Sequence, residues 1–142
     1  MSSEDIAAAM AKRILLVEDF EDARSILTRI VRSFGYETIE ANTGADAVEK
    51  AFFETPDLIL MDIGLPDMSG IDAARSIKEN PSTKHLPIIA YTAWSTRSWM
   101  EQAANAGIAA YLVKPVPMAL LKETIQRFIL AHDASVETDS RH

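Results

Sequence analysis

Five strand-like segments alternate with five longer segments whose apolar residues recur at helical spacing. Runs of mostly consecutive apolar residues, such as residues 12–18 and 57–62, are typical of strands that are buried on both faces. Such strands form parallel sheets with helices on each side, and right-handed crossovers limit the possible topologies. We therefore predict an α/β fold with a doubly wound, five-stranded parallel sheet. The predicted strands span residues 12–18, 36–41, 57–62, 87–92 and 109–114, and the predicted helices span residues 20–34, 44–54, 68–79, 95–106 and 117–131.

Composition narrows the class of protein. The chain has 142 residues, which is enough for one domain with a substantial core. A net charge of −7 argues against direct binding to nucleic acid or to an anionic membrane surface. Because cysteine is absent, disulfides, thiol catalysis and zinc–thiolate sites are excluded. The apolar runs are too short for membrane insertion, and the acidic N-terminus does not resemble a secretory signal, so we expect a cytoplasmic protein.

Polar residues follow four of the predicted strands at the point where each strand ends. Glu18 and Asp19 follow the first strand, Asp62 ends the third, Thr92 ends the fourth, and Lys114 ends the fifth. The carboxyl ends of parallel strands lie along one edge of the sheet, where α/β proteins bind ligands. We therefore expect these side chains to converge on one pocket. An acid in such a position commonly caps the next helix instead, and this alternative stays open for Glu18 and Asp19.

The grouping has a chemical explanation. Carboxylates that lie within a few ångström repel each other, and burial adds to the cost of their charges. A hard divalent cation relieves both effects, and Mg²⁺ commonly binds one or two carboxylates together with a phosphate. A lysine beside the ion would attract the phosphate, and a threonine hydroxyl could donate to it. One carboxylate would then be free to act as a nucleophile and form an acyl phosphate.

Four segments of the chain resemble the receiver domains of bacterial two-component response regulators. They read LLVEDFEDAR, LILMDIGLPDMSGIDAARSIK, IIAYTAW and YLVKPV, and the resemblance covers residues 12–131. It implies a flavodoxin-like (βα)5 fold with strand order 2-1-3-4-5. Residues 1–11 would then form an N-terminal extension, and residues 132–142 a loose C-terminal tail.

The resemblance also assigns roles at the metal and acceptor site. It implies that Asp62 is the phosphoacceptor and that Glu18, Asp19 and Asp62 hold Mg²⁺, with Mn²⁺ as an alternative ion. The backbone carbonyl of Gly64 would complete the protein ligands. Glu18 is a departure, because aspartate is common in the family at this position and glutamate is one methylene longer.

Further roles follow from the same resemblance. Thr92 would bind the phosphoryl group, Lys114 would pair with it, and the bond between Lys114 and Pro115 would be cis. Tyr111 occupies the position of the aromatic switch residue. Trp94 and Gly64 would flank the path of the attacking water, with Trp94 as a shield and Gly64 leaving a gap. Candidate residues for contact with a partner lie on the fourth helix and are Arg97, Trp99 and Met100.

The resemblance implies a single-domain response regulator. It would receive its phosphoryl group from a sensor histidine kinase or a histidine phosphotransfer protein and would signal through a downstream protein target. Because little chain follows the last helix, we expect no attached output domain, and no enzyme activity beyond self-phosphorylation from small donors and self-dephosphorylation. Two alternatives stay open: a Mg²⁺-dependent phosphohydrolase with Asp62 as nucleophile, and a receiver-like interaction module that is never phosphorylated.

Overall fold

Strands and helices alternate along the part of the chain that the computed structural model describes, which is residue 2 and residues 11–140. The strands are β1 (Arg13–Val17), β2 (Glu37–Ala41), β3 (Leu58–Met61), β4 (Ile88–Thr92) and β5 (Ala110–Val113). The helices are α1 (Glu21–Ser33), α2 (Gly44–Phe53), α3 (Gly70–Glu79), α4 (Arg97–Asn105) and α5 (Met118–Ser140). The predicted elements are all present, and most predicted boundaries extend one or two residues too far.

The five strands form one parallel sheet in the order β2-β1-β3-β4-β5, which confirms the predicted fold class and strand order. The order places β1 and β3 side by side at the centre. Val17, the last residue of β1, pairs with Met61, the last residue of β3. The residues that follow these two strands therefore leave the sheet at the same edge and at the same level.

Consecutive apolar residues in the strands are explained by two separate hydrophobic layers. Leu15 and Val17 belong to one layer, whereas Ile14 and Leu16 belong to the other, because successive side chains in a strand point to opposite faces. Helices α2, α3 and α4 cover the first layer, and helices α1 and α5 cover the second. The fully apolar pattern of β1 and β3 thus follows from burial on both faces.

Local signals account for most helix ends. The side chains of Thr43, Ser69 and Thr96 accept a backbone hydrogen bond at the start of α2, α3 and α4. Gly35 and Gly107 follow α1 and α4 with positive φ angles of 98° and 94°, a conformation that glycine adopts without strain. The N-cap of α1 is Phe20, and this helix has no side-chain cap. The alternative in which an acid after β1 caps α1 is therefore wrong.

Helix α5 is longer than predicted. It continues to Ser140, whereas the loss of apolar periodicity predicted an end at residue 131 and a loose tail beyond it. Extending an existing helix needs no new nucleation, so polar residues can continue it without an apolar face. Residues 141 and 142, and nearly all of the predicted N-terminal extension, lie outside the described residues. Among the residues that are described, none of the helices has the length and apolar character that crossing a membrane requires.

Candidate functional site

Three carboxylates meet at the carboxyl edge of the sheet. Glu18, Asp19 and Asp62 each place one oxygen within 4.8 Å of the others, because β1 and β3 end side by side. Glu18 is buried, Asp62 is half-buried and Asp19 is exposed, so the group opens to solvent on one side. Oxygens that share one Mg²⁺ at about 2.0–2.1 Å lie roughly 3–4 Å apart, and oxygen is the ligand that this ion prefers. The donor set therefore fits a hard divalent cation.

Lys114 balances part of this negative charge. Its ammonium nitrogen lies 3.1 Å from Oε2 of Glu18 and 3.4 Å from Oδ2 of Asp62. The lysine follows β5, two strands away from β3, and its side chain passes over the ring of Tyr91 at 5.0 Å from the centroid. The peptide bond between Lys114 and Pro115 is cis. Glu18, Asp62 and Lys114 form one charge network, although they lie far apart in the sequence.

The three charges of this network perturb one another. Burial raises the pKa of Glu18, and its contact with the Asp62 carboxyl raises that pKa further, against the opposing charge of Lys114. Burial would also raise the pKa of Asp62, but hydrogen bonds with Glu18, Thr92 and the Gly64 amide outweigh it and lower the pKa. Burial lowers the pKa of Lys114, but the charges of Asp62 and Glu18 overcome this effect and raise it. Asp62 is therefore held ionised, which is the state that a carboxylate nucleophile needs.

The backbone and Thr92 surround the Asp62 carboxylate. The amide of Gly64 donates to Oδ1 of Asp62 at 3.1 Å. Thr92 is fully buried at the end of β4, and its hydroxyl oxygen accepts a hydrogen bond of 3.3 Å from the amide of Trp94. Asp62 thus has a hydroxyl, an amide and an ammonium around it, a combination that suits an anionic group with several oxygens.

The side chain of Tyr111 reaches the loop after β4. Its hydroxyl donates to the backbone carbonyl of Trp94, and its ring packs partly against the hydrophobic layer under α4. Burial raises the pKa of Tyr111, and the charge of Asp62 raises it further. The tyrosine at the predicted switch position is therefore tied to the loop that carries Thr92 and Trp94.

Gly64 does not leave the gap that its lack of a side chain predicted. A Cβ atom added to Gly64 would lie 2.8 Å from Cζ2 of Trp94, so the indole fills the space above the glycine. The Trp94 ring in turn contacts the ring of Trp99, with 4.5 Å between centroids. The loop after β3 and the loop after β4 are thus in direct contact beside Asp62.

Two residues near the site carry structural roles that the sequence pattern did not reveal. Arg24 donates to the backbone carbonyl of Glu18 at 3.0 Å and pairs with Glu40 at 3.3 Å. Asp67 accepts hydrogen bonds of 2.8 and 2.9 Å from the amides of Gly44 and Ala45, the first residues of α2. The turn-rich segment around Asp67 indicated a loop, but it did not indicate which helix the carboxylate reaches.

The candidate residues for partner contact lie together on α4. Arg97 and Met100 are exposed, whereas Trp99 is half-buried between the Trp94 ring and the hydrophobic layer below. Much of the Trp99 ring is therefore engaged inside the molecule.

Comparisons with known proteins agree with this geometry. The model of the response regulator receiver domain family matches residues 14–126. The polar-differentiation response regulator DivK of Brucella ovis is 35% identical over 120 residues, which cover 84% of this chain and 98% of DivK.

Solved structures show the same likeness. The receiver domain of the sensor histidine kinase PA1611 from Pseudomonas aeruginosa has a TM-score of 0.78 and 36% identity, with 84% of this chain and 98% of that chain covered. That crystal structure holds a magnesium ion in its active-site cleft. A CheY-like receiver domain protein from Methanospirillum hungatei has a TM-score of 0.81 and 30% identity, with 88% and 98% covered.

Proposed function

The chain belongs to the response regulator receiver domain family, and from this membership we propose that it acts as a response regulator that is phosphorylated on Asp62. The observation that carries the proposal is the position of Asp62 between acids and a lysine. One oxygen of its carboxylate lies within 4.8 Å of an oxygen of Glu18 and of an oxygen of Asp19. The Asp62 carboxylate also lies 3.4 Å from the Lys114 ammonium. The negative carboxylates complement a divalent cation, and the positive lysine complements a phosphoryl group.

Each residue has a defined part in the transfer. A carboxylate oxygen of Asp62 attacks the phosphorus of a phosphohistidine, the phosphorus–nitrogen bond breaks, and the imidazole takes a proton. Lys114 and Thr92 hold the phosphoryl oxygens. Glu18, Asp19, Asp62 and the Gly64 carbonyl would hold Mg²⁺, or Mn²⁺ in its place, which neutralises charge on the transferring group. The lowered pKa of Asp62 keeps the attacking carboxylate ionised near neutral pH.

The phosphoryl group then becomes a signal through new contacts. It adds about one negative charge and three strong acceptor oxygens at Asp62. Thr92 and Lys114 turn toward these oxygens, and Tyr111 moves with the loop after β4, which changes the face formed by α4, β5 and α5. Reversing a two-state equilibrium from 1:99 to 99:1 takes about 5.5 kcal/mol. A few charge-assisted hydrogen bonds of roughly 1.5–3 kcal/mol each supply that free energy.

The partners follow from this chemistry. The phosphodonor is a sensor histidine kinase or a histidine phosphotransfer protein, and the recipient of the signal is a downstream protein that binds the α4 surface at Arg97, Trp99 and Met100. We place the protein in the cytoplasm, together with the kinase domains that would phosphorylate it.

The acceptor is tested by incubating the protein with Mg²⁺ and acetyl phosphate and counting the phosphates added by intact-protein mass spectrometry. We expect one phosphate on the wild type and none on Asp62→Asn. Asp72→Asn, an exposed acid on α3, is the matched control and should be labelled like the wild type. Equal labelling of Asp62→Asn contradicts the assignment. Sustained turnover of a phosphomonoester would support the phosphohydrolase instead.

A further inference from the structure

Tyr91 lies in β4 directly before Thr92, and its side chain points to the opposite face of the sheet, because successive side chains of a strand alternate. The other four residues of β4 are buried, whereas Tyr91 is half-buried. Part of its ring packs against the hydrophobic layer under α1 and α5. Another part faces Lys114, so the tyrosine joins this layer to the charge network at the acceptor.

The Lys114 ammonium contacts two carboxylates and one aromatic ring. Its nitrogen lies 3.1 Å from Glu18, 3.4 Å from Asp62 and 5.0 Å from the centroid of the Tyr91 ring. A cation within about 6 Å of the centroid is attracted to the face of an aromatic ring, and the attraction is stronger where water is excluded. Because the side chain of Lys114 is only 26% exposed, its contact with Tyr91 is partly shielded from water.

The ring differs from the two carboxylates in how it would respond to a metal ion. Glu18 and Asp62 are also proposed ligands of Mg²⁺, so a bound ion would compete with Lys114 for their negative charge. Tyr91 is neutral and lies outside the acid cluster, so its contact with the ammonium does not require those charges. The ring is therefore the partner that would still hold Lys114 with the ion in place.

A cavity of about 180 Å³ lies beside Lys114 on the side of α1. Side chains of α1 line it together with Glu18, Tyr91 and Lys114. The four-carbon stem of a lysine is flexible, and this space would let the ammonium turn toward α1 and away from Asp62. Tyr91 forms one wall of the cavity and attracts the ammonium, so the ring opposes this movement.

We propose that Tyr91 is a positioning residue, whose ring holds the Lys114 ammonium beside Asp62 and so keeps it ready for the phosphoryl group. This inference rests on the proposed function. Tyr91 takes no part in the transfer itself and acts through Lys114. Its removal should therefore slow the uptake of phosphate without changing which residue accepts it.

The first test measures the initial rate of phosphate uptake from acetyl phosphate in excess Mg²⁺, by intact-protein mass spectrometry. We expect Tyr91→Leu to take up phosphate several-fold more slowly than the wild type, whereas Tyr91→Phe keeps the ring and should recover most of the rate. Tyr36→Leu is the matched control. It makes the same change at another half-buried tyrosine of the same hydrophobic layer, just before β2 and at the opposite edge of the sheet, and should leave the rate unchanged.

The second test measures the contact without phosphate or Mg²⁺. Urea denaturation gives the stability lost through Tyr91→Leu in the wild type and in the Lys114→Ala background. The loss should be smaller in Lys114→Ala, because only packing is then removed and no contact with the lysine. Such coupling is expected of residues in direct contact. Equal losses in the two backgrounds would show that the ring does not hold the lysine.

The results separate the positioning role from the proposed function. If Tyr91→Leu takes up one phosphate on Asp62 as fast as the wild type, or if Tyr91→Phe is as slow as Tyr91→Leu, the positioning role is wrong and the phosphoacceptor stands. Equal slowing by Tyr36→Leu would attribute the effect to lost packing and would also overturn the role. If the wild type takes up no phosphate, both proposals fail.

Discussion

The Lys114 ammonium lies 3.1 Å from the Glu18 carboxylate, although 96 positions separate the two residues in the chain. The same nitrogen lies 3.4 Å from Asp62, so one cation serves both acids. A bound Mg²⁺ and a phosphoryl group would change this arrangement together. The ion would neutralise Glu18 and Asp19, and Lys114 would then be free to pair with the phosphoryl oxygens on Asp62.

Removing the Lys114 ammonium group should destabilise the protein when no Mg²⁺ is bound. Lys114→Met leaves the buried Glu18 and the half-buried Asp62 without their counter-charge. We expect the free energy of unfolding to fall by about 1.5–3 kcal/mol, the usual contribution of a charged hydrogen bond. Urea denaturation at pH 7 with a chelator measures this loss. Glu18→Gln in the same background should restore part of the stability, because it removes one of the two repelling charges.

A matched control is available on the surface. Lys84 is exposed in the loop before β4, and Lys84→Met should change the unfolding midpoint little. A midpoint for Lys114→Met equal to that of the wild type would show that the network contributes no stability.

Added Mg²⁺ should raise the melting temperature. An ion that binds only the folded state stabilises it by mass action, by about 2.7 kcal/mol when its concentration is a hundred times the dissociation constant. Scanning calorimetry across millimolar Mg²⁺ checks this expectation. Asp19→Asn should flatten the response, whereas Asp72→Asn should preserve it. A flat response of the wild type would count against the metal site.

Asp67 should make stability depend on pH. Hydrogen bonds from the amides of Ala45 and Gly44 lower the pKa of its carboxyl, so the folded state favours the ionised form. The resulting stability is present above the carboxyl's unfolded-state pKa and is lost as pH falls through the lowered folded-state value. Asp67→Ala should therefore melt below the wild type at neutral pH, with the difference shrinking toward acid pH.

Melting curves between neutral and acid pH test the role of Asp67. Glu49→Ala, an exposed acid on the same helix that Asp67 contacts, should stay close to the wild type throughout. A constant difference between Asp67→Ala and the wild type at every pH would show that the ionised carboxyl is not the stabilising group.

Gly70 should tolerate no side chain. A Cβ atom there would lie 2.3 Å from the backbone oxygen of Asp62 and 2.8 Å from Cα of Ile63, and backbone atoms cannot move aside cheaply. We expect Gly70→Ala to lose about 1–3 kcal/mol, the typical cost of overpacking. Ser76→Ala, on the exposed face of the same helix, should be neutral or slightly stabilising, because alanine favours helix. Chemical denaturation of the two variants gives the comparison.

Periodicity and strand-end residues predicted much of the fold and site correctly. The apolar runs predicted five parallel strands, because strands buried on both faces must be apolar throughout. The polar residues at the strand ends then had to lie along one edge, since all strands of a parallel sheet point the same way. The convergence of Glu18, Asp19 and Asp62 follows from these two facts, together with the strand order that the family resemblance supplied.

Other features depended on which distant segments meet. Nothing in the local pattern around Asp67 identifies the helix whose amides it binds, and nothing around Gly64 indicates that Trp94 covers it. The end of α5 was also missed, because polar residues can extend a helix that has already formed.

By itself, the sequence determined the elements, the fold class and the edge that carries the site, because periodicity and strand direction are local properties. Only the tertiary structure decided that Lys114 pairs with Glu18 and that Trp94 sits on Gly64. Such contacts depend on the order of the strands and on the direction that each side chain takes after its strand ends.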